Sequence, residues 1–239
     1  MHRVRATASA TLLVLLVAPR LAEAGGIGEP VGPTGGEGTG HQKRSWFFSA
    51  AAGSMRTTLS FAGDREFDML QYALSTSIGY IGGSGWSMRA SLGVVLDGKL
   101  VGQEDTHDIE LGIMGGASIA RQWQFGDWFV TGSFGVAASR SETVASTDGA
   151  TVLLTGVDWL RAGVVVGRTL GFASPYVMAR GFGGPVLWRL NDKYVKGSVV
   201  DKFELGGGVN VTTESGASFL VNISVLGERT VSFGMSYRL

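Results

Sequence analysis

Cysteine is absent from the 239 residues, so no disulfide can staple this chain and no thiol can carry a lipid anchor. Histidine occurs three times only. Charge of one sign is lacking as well: 20 basic residues balance 20 acidic ones, which gives no footprint for nucleic acid. Beyond residue 24 no stretch approaches the roughly 18 consecutive apolar residues of a transmembrane helix. Helical periodicity is missing there too.

What is present begins with a leader. Arg3 and Arg5 precede an apolar run from Ala6 to Ala18, and Ala22-Glu23-Ala24 has the small-x-small form of a cleavage site. Residues 1–24 therefore read as a secretory signal peptide, too short to span a bilayer. Residues 25–44, GGIGEPVGPTGGEGTGHQKR, read as a flexible Gly/Pro-rich linker. No strand precedes them and no helix follows, so their glycines do not form a dinucleotide loop.

From Trp46 onward the period is two. Leu70, Tyr72, Leu74, Ile78 and Tyr80 alternate with Gln71, Ala73, Ser75, Ser77 and Gly79. Trp86, Met88, Leu92, Val94 and Leu96 do the same, as do Ile109, Leu111, Ile113, Ala117 and Ile119. Each such segment has one apolar and one small or polar face, as a strand requires. Asp158 breaks the row before Leu160, and Arg180 and Pro185 spoil the register of 176–189, so a bulge or bend is expected there. Tight turns at 82–85, 124–127, 172–175 and 214–217 alternate with longer connections, with Gly227-Glu228 a short exception. About ten strands result, with eight or twelve as alternatives.

A soluble sandwich also alternates, but these segments exceed the usual strand length of ~5–6 residues and suit a tilted span of ~9–11. Their polar face is poor in Lys and rich in Gly, Ser, Ala and Thr, as a crowded lumen would be. Glycine numbers 38, about twice its usual ~7% share. Trp46, Tyr80, Trp86, Trp123, Trp128, Tyr176 and Tyr237 bracket the short turns, which predicts an aromatic girdle at one rim. Trp159, Trp188 and Phe203 are assigned to the opposite rim.

Over residues 45–239 the chain resembles the small, porin-like outer-membrane β-barrel proteins of Gram-negative bacteria. The resemblance implies an all-β, antiparallel, up-and-down barrel in the outer membrane, with lipid and lipopolysaccharide around it. It also implies recognition by the barrel-assembly machinery through the last strand, where Val231, Phe233, Met235, Tyr237 and Leu239 alternate; Leu239 stands where that pattern has an aromatic residue. A monomer is expected.

Arg89, Glu110, Arg161, Glu204 and Arg238 are the candidate lumen charges, expected to pair because buried charges rarely stand alone. No cofactor, metal site or catalytic set is expected. His107, in QEDTHDIE, is the single candidate general base, placed in a surface loop. The leading function is an integral barrel with a structural, surface-interaction or narrow-channel role. Alternatives are a barrel enzyme acting on lipid A or peptides, and a secreted soluble β-sandwich that binds a ligand.

Overall fold

A computed structural model describes residues 44–62, 65–103, 105–147, 149–190 and 193–239. The leader and all but the last residue of the linker lie outside the described residues. Twelve strand segments run β1 (Ser45–Phe61), β2 (Arg65–Ile81), β3 (Trp86–Val101), β4 (Thr106–Phe125), β5 (Trp128–Ala145), β6 (Thr151–Arg168), β7 (Ala173–Gly183), β8 (Pro185–Leu190), β9 (Lys193–Val199), β10 (Phe203–Thr212), β11 (Ala217–Gly227) and β12 (Arg229–Arg238). All pairings are antiparallel.

Neighbours pair in sequence from β1 to β7, then β7 with β10, β10 with β11 and β11 with β12. β12 returns to β1 over Phe47↔Arg238 through Arg56↔Arg229. Ten strands thus close a cylinder, and no edge remains open at that level. We call its two ends by their connections: the turn end carries the short turns and Leu239, and the loop end the longer connections.

β8 continues β7 after a break at Gly184, where a side chain would collide with the Val157 carbonyl. β9 likewise precedes β10 with a break at residues 200–202. The β11–β12 hairpin turns early, at Gly227-Glu228, and its strands hold 11 and 10 residues against 17 in β1 and β2. Above that hairpin β9 takes over its place and pairs directly with β1, Leu59↔Val199 to Phe61↔Gly197. The barrel therefore has ten strands toward the turn end and eight toward the loop end, β1–β6, β8 and β9.

The polarity of the strands inverts along their length. In the turn-end half Phe48, Leu74, Ile78, Leu92, Phe134, Val177, Phe219 and Phe233 are exposed outward, while Ser75, Ser77, Asn210, Asn222 and Ser232 are buried inside. Toward the loop end the outer face holds the Arg56–Asp68 and Lys99–Asp108 ion pairs, at 3.3 and 3.9 Å. The inner face there is Met55, Leu59, Phe61, Phe67, Met69, Leu100, Ile109, Leu154, Val186 and Trp188, packed as one core. A membrane-type wall with a polar lumen thus grades into a collar with a soluble-type core.

Four bulges sit in these strands, and each turns two consecutive residues outward. Register slips at Leu96-Asp97, Glu110-Leu111, Trp159-Leu160 and Val225-Leu226. The slip in β4 corrects the simple alternation expected at 109–119: Ile109 faces the core, and the outward row starts at Leu111.

The glycine excess has a packing cause. Phe47↔Gly79, Phe129↔Gly167, Phe61↔Gly197 and Tyr176↔Gly208 are directly opposed pairs. In each, a Cβ on the glycine would come within 3.0 Å of the aromatic side chain. The ring lies against the bare backbone of the next strand, in space that a side chain there would take. Gly79→Leu is expected to displace the Phe47 ring and cost about 1–3 kcal/mol in a urea unfolding series. Adding Phe47→Ala should then cost less than it does in the parent background.

Candidate functional site

A strand places residues three apart on opposite faces. Asp158 and Arg161 nevertheless share the lumen, because the Trp159-Leu160 bulge inserts one residue between them. They form an ion pair at 3.1 Å. Arg161 also lies 3.9 Å from Glu228, at the tip of the short hairpin, and its guanidinium stacks 5.1 Å from the Phe182 ring.

One strand on, Arg180 Nη1 donates to Glu204 at 3.3 Å. Their positions follow from direct opposition, Glu204↔Arg180, between β10 and β7. The other Glu204 oxygen accepts from the Thr230 hydroxyl at 2.8 Å. Ser224 Oγ donates to the Glu228 carbonyl at 2.6 Å and accepts from the Thr230 amide at 2.8 Å. Below them the Tyr176 hydroxyl donates to Asn222 at 3.3 Å. Glu204 is wholly buried, and Glu228, Arg180 and Asp158 are nearly so.

This network stands where the barrel changes from ten strands to eight. It joins β6, β7, β10 and β12 with the β11–β12 turn, the elements whose pairing changes there. Above it a cavity of about 50 Å³ separates the charges from the apolar core, bordered by Met55, Met69 and Val186 on one side and Asp158, Arg161 and Glu228 on the other. Higher still, Phe61, Phe67, Trp188 and His107 stack with centroids 4.7–6.2 Å apart. The Trp188 indole donates to Thr143 at 3.2 Å.

Of the residues expected in the lumen, Arg161 and Glu204 lie in this network. Arg89 faces the lumen lower down, over the Phe47 ring at 5.1 Å, and shares a second cavity with Arg161 and Arg180. Arg238 is at the turn end, beside Gly216 and far along β12 from Thr230. Glu110 is not luminal: the β4 bulge turns it outward, where it is exposed. Asp158, Arg180 and Glu228 complete the network and were missed. The first two appeared in the sequence only as breaks in the alternation, which is how an inward charge beside a bulge looks in one dimension.

At the turn-end rim Trp46, Trp86, Trp123, Trp128 and Tyr237 are exposed on the outer wall, and Tyr80 packs against Trp46 at 5.2 Å between centroids. Tyr176 is a correction: it points inward and is buried, because β7 turns its even-numbered residues to the lumen. Trp188, assigned to the opposite rim, is a core residue, whereas Trp159 and Phe203 are exposed outside. His107 is not on a solvated loop. It is buried on β4 between Phe67 and Trp188, while its neighbour Asp108 faces out toward Lys99. Among the described residues no group of three or more His, Asp or Glu converges as metal ligands do.

The outer-membrane protease OmpT of Escherichia coli superposes with a TM-score of 0.51 at 9% identity, over 83% of this chain and 97% of that one. It has the fold of an outer-membrane β-barrel. The translocator domain of the autotransporter NalP from Neisseria meningitidis reaches 0.47 at 14% identity, over 87% and 90% of the two chains. The transport unit of AIDA-I from Escherichia coli also reaches 0.47, at 9% identity over 82% and 90%. No family model and no curated protein matches the sequence. Shared fold at such identity carries no chemistry from one barrel to another.

Breaking the network from one side leaves a buried charge without its partner, which costs about 3–5 kcal/mol. Glu204→Gln is therefore expected to lower the midpoint of urea unfolding well below that of the parent barrel. Replacing both partners, Arg180→Met with Glu204→Met, should cost less than the single change, and a double-mutant cycle measures the difference.

Proposed function

We propose that this is an integral outer-membrane barrel whose lumen is sealed toward the loop end, so that it acts as a structural and surface-interacting element and not as a channel. One observation carries the reading. The eight-stranded section is filled by an apolar core from Met55 to Trp188, with the ion-pair network beneath it across a small cavity. An open diffusion path needs a wet lumen throughout, and larger barrels with aqueous channels use many more strands.

The outer wall supports the membrane placement. Its apolar turn-end half is bounded by the Trp and Tyr rim below. Arg121 lies over the Trp86 and Trp123 rings and Arg168 over Trp128, at 5.3–5.9 Å. Outward arginines stacked on aromatics suit the headgroup level of a bilayer. With the turn end in the periplasm, the polar collar would stand on the cell surface. Export through the leader, and engagement of the assembly machinery by Val231–Leu239, belong to the same proposal.

The enzyme alternative has less support, because His107 is enclosed by aromatic rings and its adjacent aspartate faces the other way. In planar bilayers the purified full chain should show no stepwise conductance. Stepwise openings from the parent protein would overturn the sealed reading. Replacing Phe61, Phe67 and Trp188 together by Ala is expected to produce openings, since it empties the core of its three large rings.

A further inference from the structure

Arg121 stands on the outer wall near the turn end, on β4. Trp86 of β3 lies directly opposite, and Trp123 follows two residues on along the same face. The guanidinium carbon is 5.3 and 5.4 Å from the two ring centroids, so both rings hold it. Gly132, opposite Arg121 on β5, leaves the room this needs: a Cβ there would come 3.3 Å from the Trp123 ring. The Gln122 amide donates to the Gly85 carbonyl at 2.9 Å, which ties the turn before Trp86 to the strand that carries Arg121.

The rings fix this arginine without neutralising it. Arg168, on the same rim over Trp128 at 5.9 Å, is ion-paired with Asp127 at 3.3 Å. Among the described residues no carboxylate pairs with Arg121, and its Nε is buried without a hydrogen-bond partner. The enclosed Nε leaves the terminal nitrogens for an acceptor from outside. Beyond Ile119 the outward row of β4 shrinks to Ala117 and Gly115, between Leu92 on β3 and Phe134 and Val136 on β5. A shallow apolar trough therefore leads from the guanidinium along the wall.

We propose that Arg121, Trp86 and Trp123 form a binding site for an anionic phospholipid, whose phosphodiester meets the terminal nitrogens and whose acyl chain lies in the trough. The site rests on the membrane placement proposed above, which puts this rim at headgroup level. Charge complementarity selects the occupant. An arginine without a counter-ion gains from a headgroup of net negative charge, whereas a zwitterionic headgroup brings its own cation. The trough selects a lipid over a soluble phosphate, because burying apolar chain adds to the attraction. Since the rings already hold the side chain, little freedom is lost on binding.

Native mass spectrometry of the full chain, released from neutral detergent, tests the site, with phosphatidylglycerol and phosphatidylcholine of equal acyl chains in competition. Phosphatidylglycerol is expected to be retained over phosphatidylcholine by roughly fivefold to tenfold. Arg121→Gln should abolish that preference, and Arg168→Gln should keep it. Arg121→Lys keeps the charge without the fork and should also weaken the preference, which covers the case in which the glutamine variant does not fold. Equal retention of the two lipids by the parent, or an unchanged preference in both Arg121 variants, overturns the site. Displacement of the bound lipid by inorganic phosphate at equal concentration assigns a soluble anion instead and overturns it too. Retention of the parent in phosphatidylcholine vesicles through an alkaline wash reads membrane insertion separately. A chain that stays inserted but prefers neither lipid loses this site and keeps the barrel reading, whereas one that washes off loses both.

Discussion

Inside a bilayer every backbone N–H and C=O must find its partner within the protein, and this one requirement orders the rest of the structure. A sheet meets it only by closing, so β12 must reach β1, and it does so along ten residue pairs. The alternation of the final strand follows from that pairing. Val231, Phe233, Met235 and Tyr237 face outward because Thr230, Ser232, Gly234 and Ser236 must fit inside. Toward the loop end, where the outer wall turns from apolar to charged, the fold changes. The β11–β12 hairpin ends after 11 and 10 residues, about the length of a tilted span, and the remaining strands close a smaller ring among themselves.

Passing from ten strands to eight has a local cost. Two strands must kink, at Gly184 and at residues 200–202, and a hairpin tip must end in the interior. Backbone groups there lose their regular ladder partners. The Phe182 amide bonds to the Lys202 carbonyl, the Glu228 amide to the Phe203 carbonyl, and the Val200 amide to the Thr58 carbonyl. Side chains complete the repair: Ser224 takes up both a carbonyl and an amide at the tip. The ion-pair network lies across this seam. A buried pair seldom stabilises more than apolar packing would, but it fixes geometry, because each partner accepts few alternatives. The network is best understood as what sets the register of the seam.

How much of this could be read from the sequence divides along the same line. Alternation over 70–80, 86–94 and 219–225 showed the lipid face directly, because there lipid demands apolar residues and the narrow lumen demands small ones. The turns at 82–85, 124–127 and 214–217 followed from their Gly and Ser content, but the one expected at 172–175 lies earlier, around Gly171 at positive φ, and Ala173–Pro175 already belong to β7. The collar was not legible, since a strand with Phe67 and Met69 inward and Glu66 and Asp68 outward has the period of the membrane part with its faces exchanged. Period alone carries no sign. Glu110, Ile109 and Tyr176 were misplaced by bulges or by phase, and a bulge leaves only a single skipped beat in the sequence. The partners of Arg161 were hidden because Asp158 and Glu228 reach it through such beats.

The exchange of faces also explains why the lumen is divided. An inner wall of Ser, Gly and Asn must be wet or charged, whereas one of Phe, Leu and Met excludes water, and the two cannot merge gradually in a cylinder this narrow. Charges with fixed partners are the natural boundary, and Asp158, Arg161, Arg180, Glu204 and Glu228 occupy it. Their acids stand toward the seam, with Glu204 and Glu228 bound to β12 and the hairpin tip. Their bases extend along β6 and β7 into the wet half. Arg161 and Arg180 thus owe their position at the border of the wet half to how the seam is pinned.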